Sequence, residues 1–160
     1  MSVNFSGTEI LELGIKIEEL GEEYYRNFAE RSKDKEIKDL FEFLAGEEVN
    51  HKNTFMNIQK EWSSDDFIVP LLNEEVSAYL RSIVGSKLFS DKRSFIKNFD
   101  HLTEPVDIIN QAIIFEKDTI LFYYEMKSFT KEKNHKIIEK LIAEEKSHVL
   151  KLEAVKKELA

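Results

Sequence analysis

The sequence contains no cysteine, and its 160 residues include only five glycines and two prolines. Without thiols there is no disulfide scaffold, no thiolate-held zinc or iron–sulfur cluster and no cysteine nucleophile. So little glycine and proline leaves long stretches unbroken, which excludes collagen-like and loop-rich chains. Positive charge is also short. The 23 Lys and Arg face 31 Asp and Glu, a net charge of −8. Such a balance argues against a general affinity for phosphate backbones or anionic lipid, so neither nucleic acid nor a membrane is an expected partner. No apolar run approaches the roughly 18 residues of a membrane span. Residues 1–12 show no basic stretch followed by a long apolar run, so no export signal is visible and a cytoplasmic protein is expected. What the chain does have is 42% hydrophobic residues, 12 of its residues being Phe, and 34% charged residues. That is enough to bury a core, and the length suits a single domain over 1–160.

Four long periodic stretches predict helices over about 6–32, 34–62, 103–131 and 134–159. Ser6-Gly7-Thr8-Glu9 reads as a capping box and Asp34 as an N-cap. Thr103-Glu104-Pro105 reads as an N-cap followed by first-turn residues. The short breaks between the first and second stretches, and between the third and fourth, force antiparallel neighbours, giving two helical hairpins. A long crossover over about 63–102 joins them. It contains Pro70, one short helix from Asn73 to about Val84 ended by Gly85, and a basic turn at Asp91-Lys92-Arg93. Two hairpins joined by one long crossover is the connectivity of an all-α, ferritin-like four-helix bundle.

The two halves repeat. Glu48-x-x-His51 recurs 97 residues later as Glu145-x-x-His148, and Glu18 with Tyr25 recurs 98 residues later as Glu116 with Tyr123. On a helical wheel advancing about 100° per residue, Glu18 sits inside the apolar face of its helix, while most other charges there sit outside. Leu40, Phe41, Leu44, Phe55 and Ile58 lie within about 80° of Glu48. Glu116 and Glu145 are flanked in the same way by Ile113 and Ile120, and by Leu141, Ile142 and Val149. Four glutamates and two histidines therefore point into one core.

Each uncompensated charge in a protein interior costs several kcal/mol. The four carboxylates must be protonated, paired with cations or bound to metal. Lys and Arg are largely absent from these faces, although Lys127 lies near that of the third helix. Two divalent cations would neutralise the four carboxylates, and each Glu-x-x-His places a carboxylate and an imidazole about 4.5 Å apart along one helix face. A Glu from each of two helices and Glu-x-x-His from each of the other two is the dinuclear carboxylate arrangement of ferritin-like bundles. Oxygen-rich, sulfur-free ligation favours iron over zinc, with manganese or mixed loading as the other options.

At these residues the chain resembles the rubrerythrin-type branch of the ferritin-like superfamily, over nearly its whole length. The resemblance implies metal ligation by Glu18, Glu48, His51, Glu116, Glu145 and His148, with Tyr25 and Tyr123 hydrogen-bonding across the site. It departs in two places. Thr119 stands where rubrerythrins usually carry a second glutamate one turn after the third-helix ligand, and the cysteine-ligated rubredoxin domain usual in that family has no counterpart in a chain without cysteine. The six ligands are closer to the symmetric site of bacterioferritin. With two irons, Glu48 and Glu145 would bridge, Glu18 and Glu116 would be terminal, and each histidine would cap one ion. A small oxidant, hydrogen peroxide or dioxygen, would be reduced, or Fe(II) oxidised, with electrons arriving from a separate donor protein.

Two other functions fit the sequence: a store or carrier that binds metal without turnover, and a metal-free helical interaction module. The remaining residues read more plainly. Glu47 and Glu144 lie about 100° from the ligands on the wheel and read as solvated helix edge. His101 and His135 read as surface histidines. Gly14 and Gly21, one turn either side of Glu18, leave space that would admit oxidant. A second apolar stripe on the third helix, Ile114 and Leu121 with Tyr124 nearby, is expected to meet either the crossover or a second copy of the chain in a homodimer.

Overall fold

A computed structural model describes residues 4–69, 71–85 and 91–160, and Pro70 lies outside them. Among the described residues six α-helices follow in order: α1 (Gly7–Arg31), α2 (Lys35–Glu61), α3 (Glu74–Val84), α4 (Lys92–Lys97), α5 (Pro105–Phe129) and α6 (His135–Glu158). Local chemistry accounts for most starts and stops. Ser6 and Glu9 form the expected capping box, and Asp34 accepts from the Ile37 amide. Asn73 caps α3 through the Val76 amide, and Gly85, at φ 61°, ends it in a conformation that side chains with a Cβ rarely adopt.

α1 packs along α2, and α5 along α6; α1 also meets α5, and α2 meets α6. These four long helices form the expected all-α bundle of two hairpins. The crossover differs from expectation. Among its described residues it holds two α-helices rather than one, because Asp91-Lys92-Arg93 opens α4, with Asp91 accepting from the Ser94 amide at 2.8 Å. At the start of α5 the N-cap position falls to Glu104, not Thr103, and no side chain caps it. Pro105 in the first turn has no amide hydrogen to satisfy, which lessens the need for a cap.

The crossover is tied to the bundle rather than looped away from it. The Leu72 amide donates to the Phe5 carbonyl at 2.9 Å, and the Ile68 amide to the Phe129 carbonyl at 2.8 Å. Asp66 accepts from the Ser63 amide and from Asn134, and pairs with Lys133 at 2.9 Å. These contacts, the backbone bond to Ser63 first among them, hold its carboxyl down at about 2. α3 lies against α5 and α4 against α1. Phe99, just beyond α4, meets Tyr24 edge-on at 5.3 Å, and Tyr24 meets Phe115 at 5.0 Å. This aromatic cluster joins α1, α5 and the crossover. Because the crossover covers that side, it leaves the stripe Ile114, Leu121 and Tyr124 uncovered; all three are exposed. Tyr124 instead receives the Lys146 ammonium, 2.6 Å from its hydroxyl. Among the described residues no helix is long and apolar enough to cross a membrane.

Candidate metal centre

One residue group from each long helix meets in the bundle core: Glu18 from α1, Glu48 and His51 from α2, Glu116 from α5, Glu145 and His148 from α6. None of the six is more than 4% exposed. Their donor atoms form two overlapping sets, Glu18–Glu48–His51–Glu145 and Glu48–Glu116–Glu145–His148, the atoms of each lying within 4.8 Å of one another. Glu48 and Glu145 belong to both sets. The duplicated sequence has become a duplicated site, with the two Glu-x-x-His carboxylates at its centre.

Both imidazoles turn Nδ1 inward. His51 Nδ1 lies 2.9 Å from Glu145, 3.5 Å from Glu48 and 3.6 Å from Glu18. His148 Nδ1 lies 2.9 Å from Glu145 and 3.6 Å from Glu116. The rings stack at 5.5 Å with 20° between their planes. Although His51 Nδ1 is close to Glu145 Oε1, the two are out of line for a hydrogen bond, and both atoms, together with Glu18 Oε1, are buried with no hydrogen-bond partner among the described residues. A cluster designed only to satisfy itself would not aim three orphaned donor atoms at a shared space. Those atoms fit metal ions, as does the oxygen-rich, sulfur-free donor set.

The electrostatics agree. Burial raises the Glu18 carboxyl well above the usual range, and the neighbouring Glu48 charge adds to it. Glu145 is raised by the same two causes, with Glu116 contributing further. Burial also opposes ionisation of Glu116, but contacts with Glu145, His148 and Tyr25 outweigh it, and its carboxyl is held low. Burial likewise disfavours a charged His148, yet Glu116 and Glu145 push it up to about 10. His51 is raised even more strongly by Glu145, Glu18 and Glu48. Without metal, then, the cluster holds protons on both imidazoles and on some carboxyls. Metal binding has to displace them.

The outward ring nitrogens correct one expectation. Glu144 is more than solvated helix edge: its side chain stays 35% exposed, yet its carboxylate lies 3.0 Å from His51 Nε2 and accepts from it. Glu47 stands in the same relation to His148, but at 3.8 Å, too far for a hydrogen bond. The pairing crosses between repeats, since Glu144 holds the histidine of the other half, while Glu47 faces that of its opposite half without bonding it. A proton held on Nε2 leaves the Nδ1 lone pair free for a metal. It also excludes Glu47, His51 and His148 as a further ion site while the inner site is filled, although their donor atoms lie within 4.8 Å of one another. Glu144→Ala is therefore expected to weaken metal binding about 10- to 100-fold, the usual consequence of removing such a partner. Glu47→Ala is expected to cost less, and titration against a chelating indicator compares the two.

The tyrosines divide as well. Tyr25 donates a short hydrogen bond to Glu116, whereas the buried Tyr123 hydroxyl has no partner among the described residues and its ring packs 5.5 Å from Phe55. Lys127 does not reach the cluster and pairs with Glu139 at 2.7 Å. His101 is exposed, and the partly buried His135 has Nε2 3.0 Å from the Thr130 carbonyl. The space beside Gly14 is already used, because a Cβ there would meet the Phe55 ring at 3.1 Å. Gly21 is different. It borders a cavity of about 70 Å³ between α1, α5 and the two crossover helices, whose lining includes Glu18, Glu48 and Glu116.

The rubrerythrin family model matches residues 9–156. A solved structure from Thermotoga maritima, described as a candidate ferritin-like diiron-carboxylate protein, is 28% identical, with a TM-score of 0.75 and 98% of each chain covered. No curated protein matches the chain.

Proposed function

The chain belongs to the rubrerythrin family, and from that premise we propose that it holds two iron ions in the buried cluster and reduces hydrogen peroxide or dioxygen. One observation carries this reading: two buried four-residue donor sets that share Glu48 and Glu145. Shared carboxylates hold two ions close enough to act together, typically about 3.5–4 Å apart. The likeness to a candidate diiron-carboxylate protein supports iron, and the donor set also accommodates manganese. Bound there, two Fe(II) ions supply the two electrons that, with two protons, convert one hydrogen peroxide to two waters.

The chain's own residues set the conditions. Glu48 and Glu145 would bridge the two positions, Glu18 and Glu116 would complete one each, and His51 and His148 would present Nδ1. Tyr25 holds Glu116 in orientation through its hydroxyl. Burial excludes bulk water, strengthening every charge interaction inside. With no cysteine to hold an iron–sulfur cluster, the electrons come from a separate donor protein. A second copy of the chain covers the exposed stripe of Ile114, Leu121 and Tyr124; light scattering at micromolar concentration then gives twice the chain mass, and a monomer sinks the homodimer.

The function is tested by mixing Fe(II)-loaded protein with peroxide. Two irons oxidised per peroxide, and many peroxides consumed when a reductant is supplied, is the expected result. One reaction followed by arrest with every donor tried would favour a store or carrier.

A further inference from the structure

We infer that Glu47, His51 and His148 form an outer, transient cation site, where a divalent metal ion lands before it passes to the inner donor sets. The inference rests on the di-iron reading and deepens it. The donor atoms of the three residues lie within 4.8 Å of one another. Each imidazole faces two ways: Nδ1 towards the inner carboxylates, Nε2 towards Glu144 or Glu47. The rings stack at 5.5 Å, which brings both Nε2 atoms to one side of the centre. Glu144 holds the first of these atoms, at 3.0 Å. The second is not held. His148 is buried, and its Nε2 faces Glu47 across 3.8 Å, beyond hydrogen-bond reach. Metal–donor bonds of about 2 Å span such a gap, so a nitrogen and a carboxylate that do not bond each other can share an ion.

The chemistry of the set selects its occupant. Two imidazoles with one carboxylate hold Fe(II) and leave positions open for water. The approach is polar enough for an ion that still carries such water. A groove of about 310 Å³ between α2 and α6 is lined by Thr54, Asn57 and Glu61 and reaches Glu144, beside His51. Lys140, also in the lining, stays 76% exposed and 3.9 Å from Glu144, too loose a pairing to cancel its charge. The outer site suits arrival rather than rest, because each inner set offers three carboxylates against one here. The two positions also exclude each other. An ion on Nε2 leaves the ring proton on Nδ1, towards Glu145 at 2.9 Å; an ion on Nδ1 returns it to Nε2. Filling the inner sets therefore empties the outer one.

Cobalt(II) is the probe, because its position is read by diffraction at the cobalt edge and its arrival by absorbance, and neither needs activity. In Glu145→Gln both inner sets lack their shared carboxylate. Crystals of this variant soaked in cobalt(II) are expected to show one peak between Glu47 and the two Nε2 atoms. The fully loaded parent shows none there. In solution at saturating cobalt(II), Glu47→Gln still takes up two ions, but about tenfold more slowly, the lower end of what a charged approach adds to arrival rates. A residue that merely supported His148 would change affinity and leave the rate of arrival alone. If Glu145→Gln does not fold, uptake by Glu47→Gln carries the test. No outer peak in Glu145→Gln overturns the inference, as does an outer peak that persists in the loaded parent, or an unchanged uptake rate in Glu47→Gln. Inner sets that stay empty in the parent would instead sink the di-iron reading, with the peak in Glu145→Gln still deciding the outer site.

Discussion

Glu145→Gln is expected to remove both metal ions at once, while Glu18→Gln removes one. Glu145 is fully buried, approaches both inward imidazole nitrogens at 2.9 Å and belongs to both donor sets. Glu18 belongs to one. Glutamine keeps the volume and one acceptor oxygen but has neither the charge nor the second oxygen needed to bridge two ions. The loss of affinity should exceed the roughly 100-fold that removing an outer hydrogen-bond partner costs. Stability should respond in the opposite sense when metal is absent. Burial, and then the charges of Glu48 and Glu116, raise the Glu145 carboxyl and favour its neutral acid in the metal-free chain, so a neutral amide replaces a neutral group, and metal-free Glu145→Gln should melt no lower than the metal-free parent. Elemental analysis and thermal melts on the same samples read both effects. Normal loading of Glu145→Gln would refute the bridging role.

The second large effect is a gap in melting temperature between loaded and metal-free protein that widens with pH. In the metal-free chain, Glu18, Glu145, His51 and His148 all bind protons more tightly folded than unfolded. Their stabilisation is complete below the unfolded values, about 4.5 for the glutamates and 6.5 for the histidines. It is lost as pH rises towards the folded values, about 10 for His148. Glu116 works the other way: its carboxyl is depressed, so its contribution is present at neutral pH and lost in acid. The four raised groups outnumber it, and metal-free protein should lose stability from about pH 5 to pH 9. Metal needs the deprotonated ligands, so its stabilisation grows over the same range. At a free metal concentration 1,000 times Kd the gain is about 4 kcal/mol, roughly 8–16 °C for a chain of this size. Melts with manganese(II) or chelator across that range measure the gap. A gap that stays constant, or shrinks as pH rises, contradicts the account.

Much of this is legible in the amino-acid sequence. Ser6 with Glu9, Asp34 and Asn73 declare their helix starts because the signals are local, three residues from cap to amide. The inward set was legible because the wheel puts Glu18, Glu48, Glu116 and Glu145 where charge has no place, and the repeat shows it twice. What escaped depends on neighbouring helices. Glu144 is off the inward face of α6, yet the packing of α2 against α6 carries it to His51. The doubled Glu47-Glu48 and Glu144-Glu145 were the available signal. Gly14 and Gly21 look alike in sequence, and only what lies opposite separates them: Phe55 fills the first place, and a cavity borders the second. α4 is too short for periodicity to reveal it, although Asp91 before Ser94 was a visible cap.

Anomalous diffraction at the iron edge, on crystals of protein loaded with Fe(II), tests the central claim most directly. Two peaks about 3.5–4 Å apart, each near one histidine Nδ1 and both near Glu48 and Glu145, are the predicted result. A map without density at the bundle centre, its carboxyls holding protons or water instead, would contradict it.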